Sequence, residues 1–348
     1  MATTPPLLAS HGGEHQKLRP SERTLFWLNT SAAALHAVQG IVILALNKDW
    51  TVPILREYSV WTPEDPTYGC FETLPDGQVN RCYQSSATKE IGRASTKWEI
   101  AVFFFLSAAF QGTVSSLWGR RDESGRVARR RANRRGDQLG YYARFIAAGI
   151  NPLRWVEYAI SASLMALVIA QLTGFYSLND QLLIFGAMAG TMLCGLLHEV
   201  LQVVLLAYES QAQLAAEVPG GPSRGLFVEK SYIRMIRYLA HVAGWIPYMG
   251  VWTAIGVRFF DTLGSSDLKP PWQVYVIIIG LFFGFSGFAF TQIYITRKAA
   301  GQDVSHDARL RAYHRGEAMY ITLSLVTKTI LCWNLYGGVI VRDGKLFN

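Results

Sequence analysis

Charge is scarce in this sequence. Asp, Glu, Lys and Arg make up 17% of its 348 residues, against about a quarter in an ordinary soluble domain. Half of the residues are apolar, which excludes a disordered tail, because such tails lack large apolar side chains. Cysteine is scarcer still. The four present have no zinc-finger spacing, which excludes a disulfide-dense miniprotein and leaves no candidate metal site. No internal repeat or low-complexity tract is present. No signal-peptide pattern is present either, because the first apolar run is too long for one and follows a polar head at residues 1–23.

What the chain has is seven long apolar runs: Thr24–Leu46, Trp98–Trp118, Tyr141–Ala170, Gln181–Tyr208, Arg237–Phe260, Trp272–Thr296 and Glu317–Val341. Runs of this length cross about 30 Å of hydrocarbon at ~1.5 Å per residue. They are apolar on all sides rather than striped, as a soluble helix would be. Backbone groups in lipid must bond within the segment, so the runs read as helices. The expected fold is an all-α membrane protein, a seven-helix bundle over residues 24–341.

Lys and Arg set the expected orientation. The head and the loops after the second, fourth and sixth runs carry 20 of them, against 10 on the other side. The amino terminus is therefore expected in the cytoplasm, and the tail at 342–348 outside. The basic loop at 120–139, with the run Arg126–Arg135, reads as a topology signal facing anionic lipid rather than a nucleic-acid site. The loop at 47–97 then lies outside. It contains Cys70 and Cys82 around a turn-prone Pro75-Asp76-Gly77, and an oxidising compartment allows a disulfide there. Aromatic and β-forming residues such as Val60, Trp61, Tyr68 and Phe71 suggest a folded hairpin.

Nine lysines occur, and Lys328 alone sits in the middle of a crossing. A charge at that depth is costly and marks a candidate functional site. One reading is a structural ion pair. The other is a Schiff base with a carbonyl ligand, because a desolvated lysine is a competent amine nucleophile. Glu157 on the third run is expected at matching depth as its partner, each group favouring the other's charged form. Ser161 and Ser324 lie four residues from Glu157 and Lys328 on the same faces. His36 with Gln39, Ser107 with Gln111, and the pair His198-Glu199 suggest a polar cavity on the cytoplasmic flank. Helix–helix hydrogen bonding is the plainer reading of each alone. Phe282, Phe283, Phe285, Phe288 and Phe290 with Gln292, and Trp245, Tyr248 and Trp252, could line a long apolar slot or simply pack. Gly186, Gly190 and Gly195 would allow close approach there.

The motif Arg154-Trp155-Val156-Glu157-Tyr158-Ala159-Ile160-Ser161, the segment Ser324-Leu325-Val326-Thr327-Lys328, and His36 with Gln39 together resemble the heliorhodopsin family. Phe285 and Gln292 stand where light-driven pumps typically carry tryptophans. The charge-derived orientation and the long outer loop match as well. The resemblance implies a rhodopsin-like bundle holding all-trans-retinal on Lys328 with Glu157 as counterion. It also implies a homodimer, a slow photocycle, no pumping and no enzymatic chemistry. A pump typically carries a carboxylate four residues before its lysine and a second eleven after its counterion; here these positions are Ser324 and Val168. The family's second cavity histidine is replaced by Gln111 as the nearest candidate. The expected function is a plasma-membrane light sensor with a cytoplasmic signalling partner. The alternative is a light-gated passive proton channel lined by Glu157, His198 and Glu199.

Overall fold

The computed structural model describes residues 20–46, 48–117, 141–217, 230–265, 269–299 and 304–340. The basic run Arg126–Arg135, the tail and most of the head lie outside the described residues. The first two crossings are α1 (Pro20–Ala45) and α2 (Thr96–Leu117), joined through strands β1 (Thr51–Pro63) and β2 (Cys82–Ser95). The third is divided into α3 (Tyr141–Ala148) and α4 (Pro152–Leu172). The fourth and fifth are α5 (Leu178–Glu217) and α6 (Lys230–Ser265). The sixth comprises α7 (Trp272–Tyr275), a π-turn at Val276–Gly280 and α8 (Leu281–Ala299). The seventh is α9 (His306–Leu335), which runs into a π-turn at Tyr336–Ile340.

Six of these segments are long and apolar enough to cross a membrane. The fifth crossing, α6, has the length, but His241, Trp245, Pro247, Tyr248 and Trp252 dilute its apolar character. Neighbours follow one another round the bundle: α1 packs on α2 and α9, α2 on α4, α4 on α5, α5 on α6, and α8 on α9, while α6 meets α8 where Tyr248 Oη donates to Phe282 O at 2.6 Å. Helix α4 is the most enclosed, with 67% of its apolar window buried, against 28% for α1. Its position explains why it can carry charged groups away from lipid.

One sequence expectation fails locally. The third crossing, expected as one helix over Tyr141–Ala170, breaks at residues 149–151. Gly149 adopts φ +78°, and Ile150 N donates to Phe145 O at 3.0 Å, which ends α3 as glycine does at helix C-termini. Asn151 then caps α4, its side chain accepting from Arg154 N at 3.2 Å, with Pro152 in the first turn.

The 47–97 loop is a hairpin. Strands β1 and β2 pair antiparallel from Thr51↔Ser95 to Pro63↔Cys82, with an irregularity between Ile54 and Leu55. There Leu55 N turns to Tyr176 O at 2.8 Å, tying the strand to the turn between α4 and α5. At the tip Cys70 and Cys82 are bonded, with Cα atoms 5.6 Å apart. Buried Asn80 organises the rest. Its Nδ2 donates to the carbonyls of Asp65, Tyr68 and Gly69 at 3.0, 3.1 and 3.2 Å, and its Oδ1 accepts from Asp65 N at 3.0 Å.

Candidate functional site

Lys328 and Glu157 meet in the interior. Lys328 Nζ donates to Glu157 Oε1 at 3.0 Å and to Ser324 Oγ at 2.7 Å. Both charged side chains are 3% exposed, so neither can reach water by snorkelling. Ser107 Oγ on α2 donates to the same Glu157 oxygen at 2.6 Å, and Ser161 Oγ stands at 3.5 Å. Three helices thus converge on one carboxylate. The Tyr158 ring lies 5.5 Å from Lys328 Nζ, and its hydroxyl donates to Tyr320 O at 3.0 Å.

Other expected residues are near but differently engaged. Gln111 lines a small cavity of about 300 Å³ with Glu157, Arg154, Asn151 and Glu317. His36 is fully buried beside Phe104, ring centroids 5.7 Å apart, and neither ring nitrogen has a hydrogen-bond partner among the described residues. Gln39 turns away from this centre and accepts from Thr329 and Trp333 on α9. His198 and Glu199 separate, as consecutive helical residues must at ~100° apart. Glu199 binds Arg154, whereas His198 Nε2 meets Thr296 Oγ1 at 2.8 Å. They do not line one route together.

A second buried charge cluster emerges. Arg154 pairs with both Glu199 and Glu317, and its guanidinium lies 4.0 Å above the Tyr320 ring. Asn151 joins both carboxylates, its N donating to Glu199 Oε2 at 3.0 Å and its Nδ2 to Glu317 Oε2 at 2.8 Å. Sequence reading missed Glu317 and Asn151 as site residues. The signal was present, since Glu317 begins the seventh apolar run and Arg154 lies within the third, and a buried cation requires such partners.

A cavity lies among α5, α6, α8 and Trp155. Gly195, Trp245, Tyr248, Phe285 and Gln292 line it, together with Phe288 and His241. Trp155 lies flat on the backbone at Gly195, where a Cβ would come within 2.2 Å of its ring. Gln292 donates to Gly195 O at 2.8 Å, and its Oε1 meets His241 Nδ1 at 3.2 Å. Phe288 stacks edge-on to Tyr158 at 5.1 Å, so the slot wall continues to the lysine. Its lining is aromatic with few polar groups, as in small-molecule pockets.

These features define a class: a seven-helix integral membrane protein with a buried amine–carboxylate pair near an aromatic-lined cavity, linked to it through Tyr158 and Phe288. Residues 138–340 match the heliorhodopsin family model, more than half of the chain, and the chain belongs to that family. No curated protein matches it. Heliorhodopsins are retinal-binding, light-responsive membrane proteins, photoreceptors rather than classical enzymes. The residues here fit that chromophore. The aromatic lining of the cavity suits an apolar polyene, and Lys328 supplies a primary amine beside a counter-charge.

Proposed function

We propose that the protein is a light sensor that holds all-trans-retinal on Lys328 as a protonated Schiff base, with Glu157 as counterion. The observation that carries this reading is the Lys328–Glu157 pair at 3.0 Å, buried and braced by Ser107 and Ser324. Bound retinal supplies visible absorption and a light-driven isomerisation. The chain's own residues do the rest. Lys328 Nζ is the anchor and Glu157 balances the cation. Ser107 fixes the carboxylate, and the aromatic slot excludes water.

Pumping is not part of the reading. Ser324 and Val168 occupy positions where a pump needs acids, and buried Phe103, Phe104 and Ile169 add an apolar layer toward the hairpin. A slow photocycle leaves time for a cytoplasmic partner to respond. The proposed orientation has the amino terminus in the cytoplasm and the hairpin outside the plasma membrane, in a homodimer. A second reading, a light-gated passive proton channel, is favoured by the small cavity running from Glu157 past Arg154 to Glu317.

The test begins with all-trans-retinal added to purified apoprotein. A visible band is expected, and Lys328→Ala abolishes it. A band that survives this substitution overturns the linkage. Under voltage clamp the sensor passes no photocurrent, whereas a current reversing with the proton gradient selects the channel.

A further inference from the structure

We propose that Glu99 binds a proton at neutral pH and shares it with Gln171 in a closed acid–amide ring on the hairpin side of the bundle. Glu99 lies in the first turn of α2, and Gln171, fully buried, lies near the end of α4. Gln171 Nε2 donates to Glu99 Oε1 at 3.0 Å. The remaining atoms of the same two groups, Glu99 Oε2 and Gln171 Oε1, are buried and have no hydrogen-bond partner among the described residues. If Glu99 is a carboxylate, both of these atoms are acceptors, and the pair has no donor to join them. Turning the amide over exchanges its atoms and still leaves acceptor against acceptor. One proton on Oε2 resolves this. The carboxylic acid then donates to Gln171 Oε1 while Gln171 Nε2 donates to Glu99 Oε1, and every polar atom of the pair is satisfied.

The surrounding charges agree. An α-helix N-terminus favours a negative side chain, but that place is already filled by Asp49, on the connection from α1 beside Lys48. Asp49 Oδ1 accepts from Lys97 N at 3.1 Å and Oδ2 from Ser95 Oγ at 2.6 Å. A second full negative charge beside Asp49 is disfavoured by repulsion. Lys97 Nζ is held by Leu46 O at 2.7 Å. On β2, Arg93 pairs with Glu90 and binds Thr51 on the exposed face. From α4, Glu99 receives the neutral Gln171. The site lies eight residues along α2 from Ser107, ~12 Å at helical rise. It places a bound proton on the side of the bundle where Val168 supplies none.

Infrared absorption of the purified full-length protein in the dark tests this, in H2O and D2O at neutral pH. The wild-type minus Glu99→Gln difference is expected to show the carbonyl stretch of a hydrogen-bonded carboxylic acid, shifted down in D2O. Glutamine preserves the bundle because two amides close the same ring. Carboxylate stretches in place of the acid carbonyl overturn the proposal. Gln171→Leu gives a second reading that retains Glu99. The acid band then moves to higher frequency as its carbonyl loses the N–H donor, and an unmoved band rejects the ring. Neither measurement uses light or Lys328, so the result stands apart from the photoreceptor reading.

Discussion

A buried ion pair is more sensitive to losing one member than both. Lys328→Ala leaves Glu157 enclosed with only hydroxyl donors, and is expected to lower apoprotein stability by about 3–5 kcal/mol in a thermal melt. Adding Glu157→Gln to that variant restores part of the loss, and a further drop would mean that the two groups act separately. Glu157→Gln alone is expected to move the pigment's absorption to the red, because a neutral amide stabilises a ground-state cation less. An unmoved band removes Glu157 as counterion. Gly195→Ala drives a methyl group into the Trp155 ring. It should cost about 1–3 kcal/mol and reduce the pigment formed per protein on retinal addition. Lys328 was visible in the sequence because one charge in a long apolar run needs no partner to be noticed. Asn80 was not, since its role exists only where the hairpin tip folds back on itself. Gln39 shows the intermediate case. Its spacing from His36 gave a shared direction, but not which turn of α9 it would meet.

At the scale of elements, the break between α3 and α4 governs the site. It frees the Asn151 backbone N–H and side chain for Glu199 and Glu317, and these carboxylates hold Arg154 one turn from Glu157. The signal was legible in Gly149-Ile150-Asn151-Pro152, but the apolar run across it outweighed the punctuation. Gly149→Ala forces an L-residue into φ +78°, at about 1–2 kcal/mol, and the melting temperature should fall accordingly. The hairpin tip has its own pH response. Thr67, through its backbone N–H first and then its hydroxyl, holds the Asp65 carboxyl below the usual carboxylate range. A lowered folded-state value stabilises the tip above the ordinary carboxylate pKa, and the benefit is lost on acidification. Amide exchange across residues 64–81 should therefore quicken as pH falls through that range, after correction for intrinsic rates, while α2 and α4 stay protected. Equal quickening in the helices would contradict a local effect.

For the whole molecule, the crossings were readable because lipid allows few spanning structures, and six of them meet the hydropathy of a span, α6 being the exception. How they rotate about their axes was not readable, which is why His198 and Glu199 part company. Orientation is testable directly. Ser86→Cys on the exposed part of β2, made in a Cys194→Ala background, should react with a membrane-impermeant maleimide on intact cells, since Cys70 and Cys82 are bonded to each other and Cys332 is buried. Labelling only after permeabilisation would invert the assignment. The hairpin is also joined to the bundle's interior, because Leu55 grips Tyr176 at the turn that ends α4. A pull on that strap is carried into the same rod that holds Glu157.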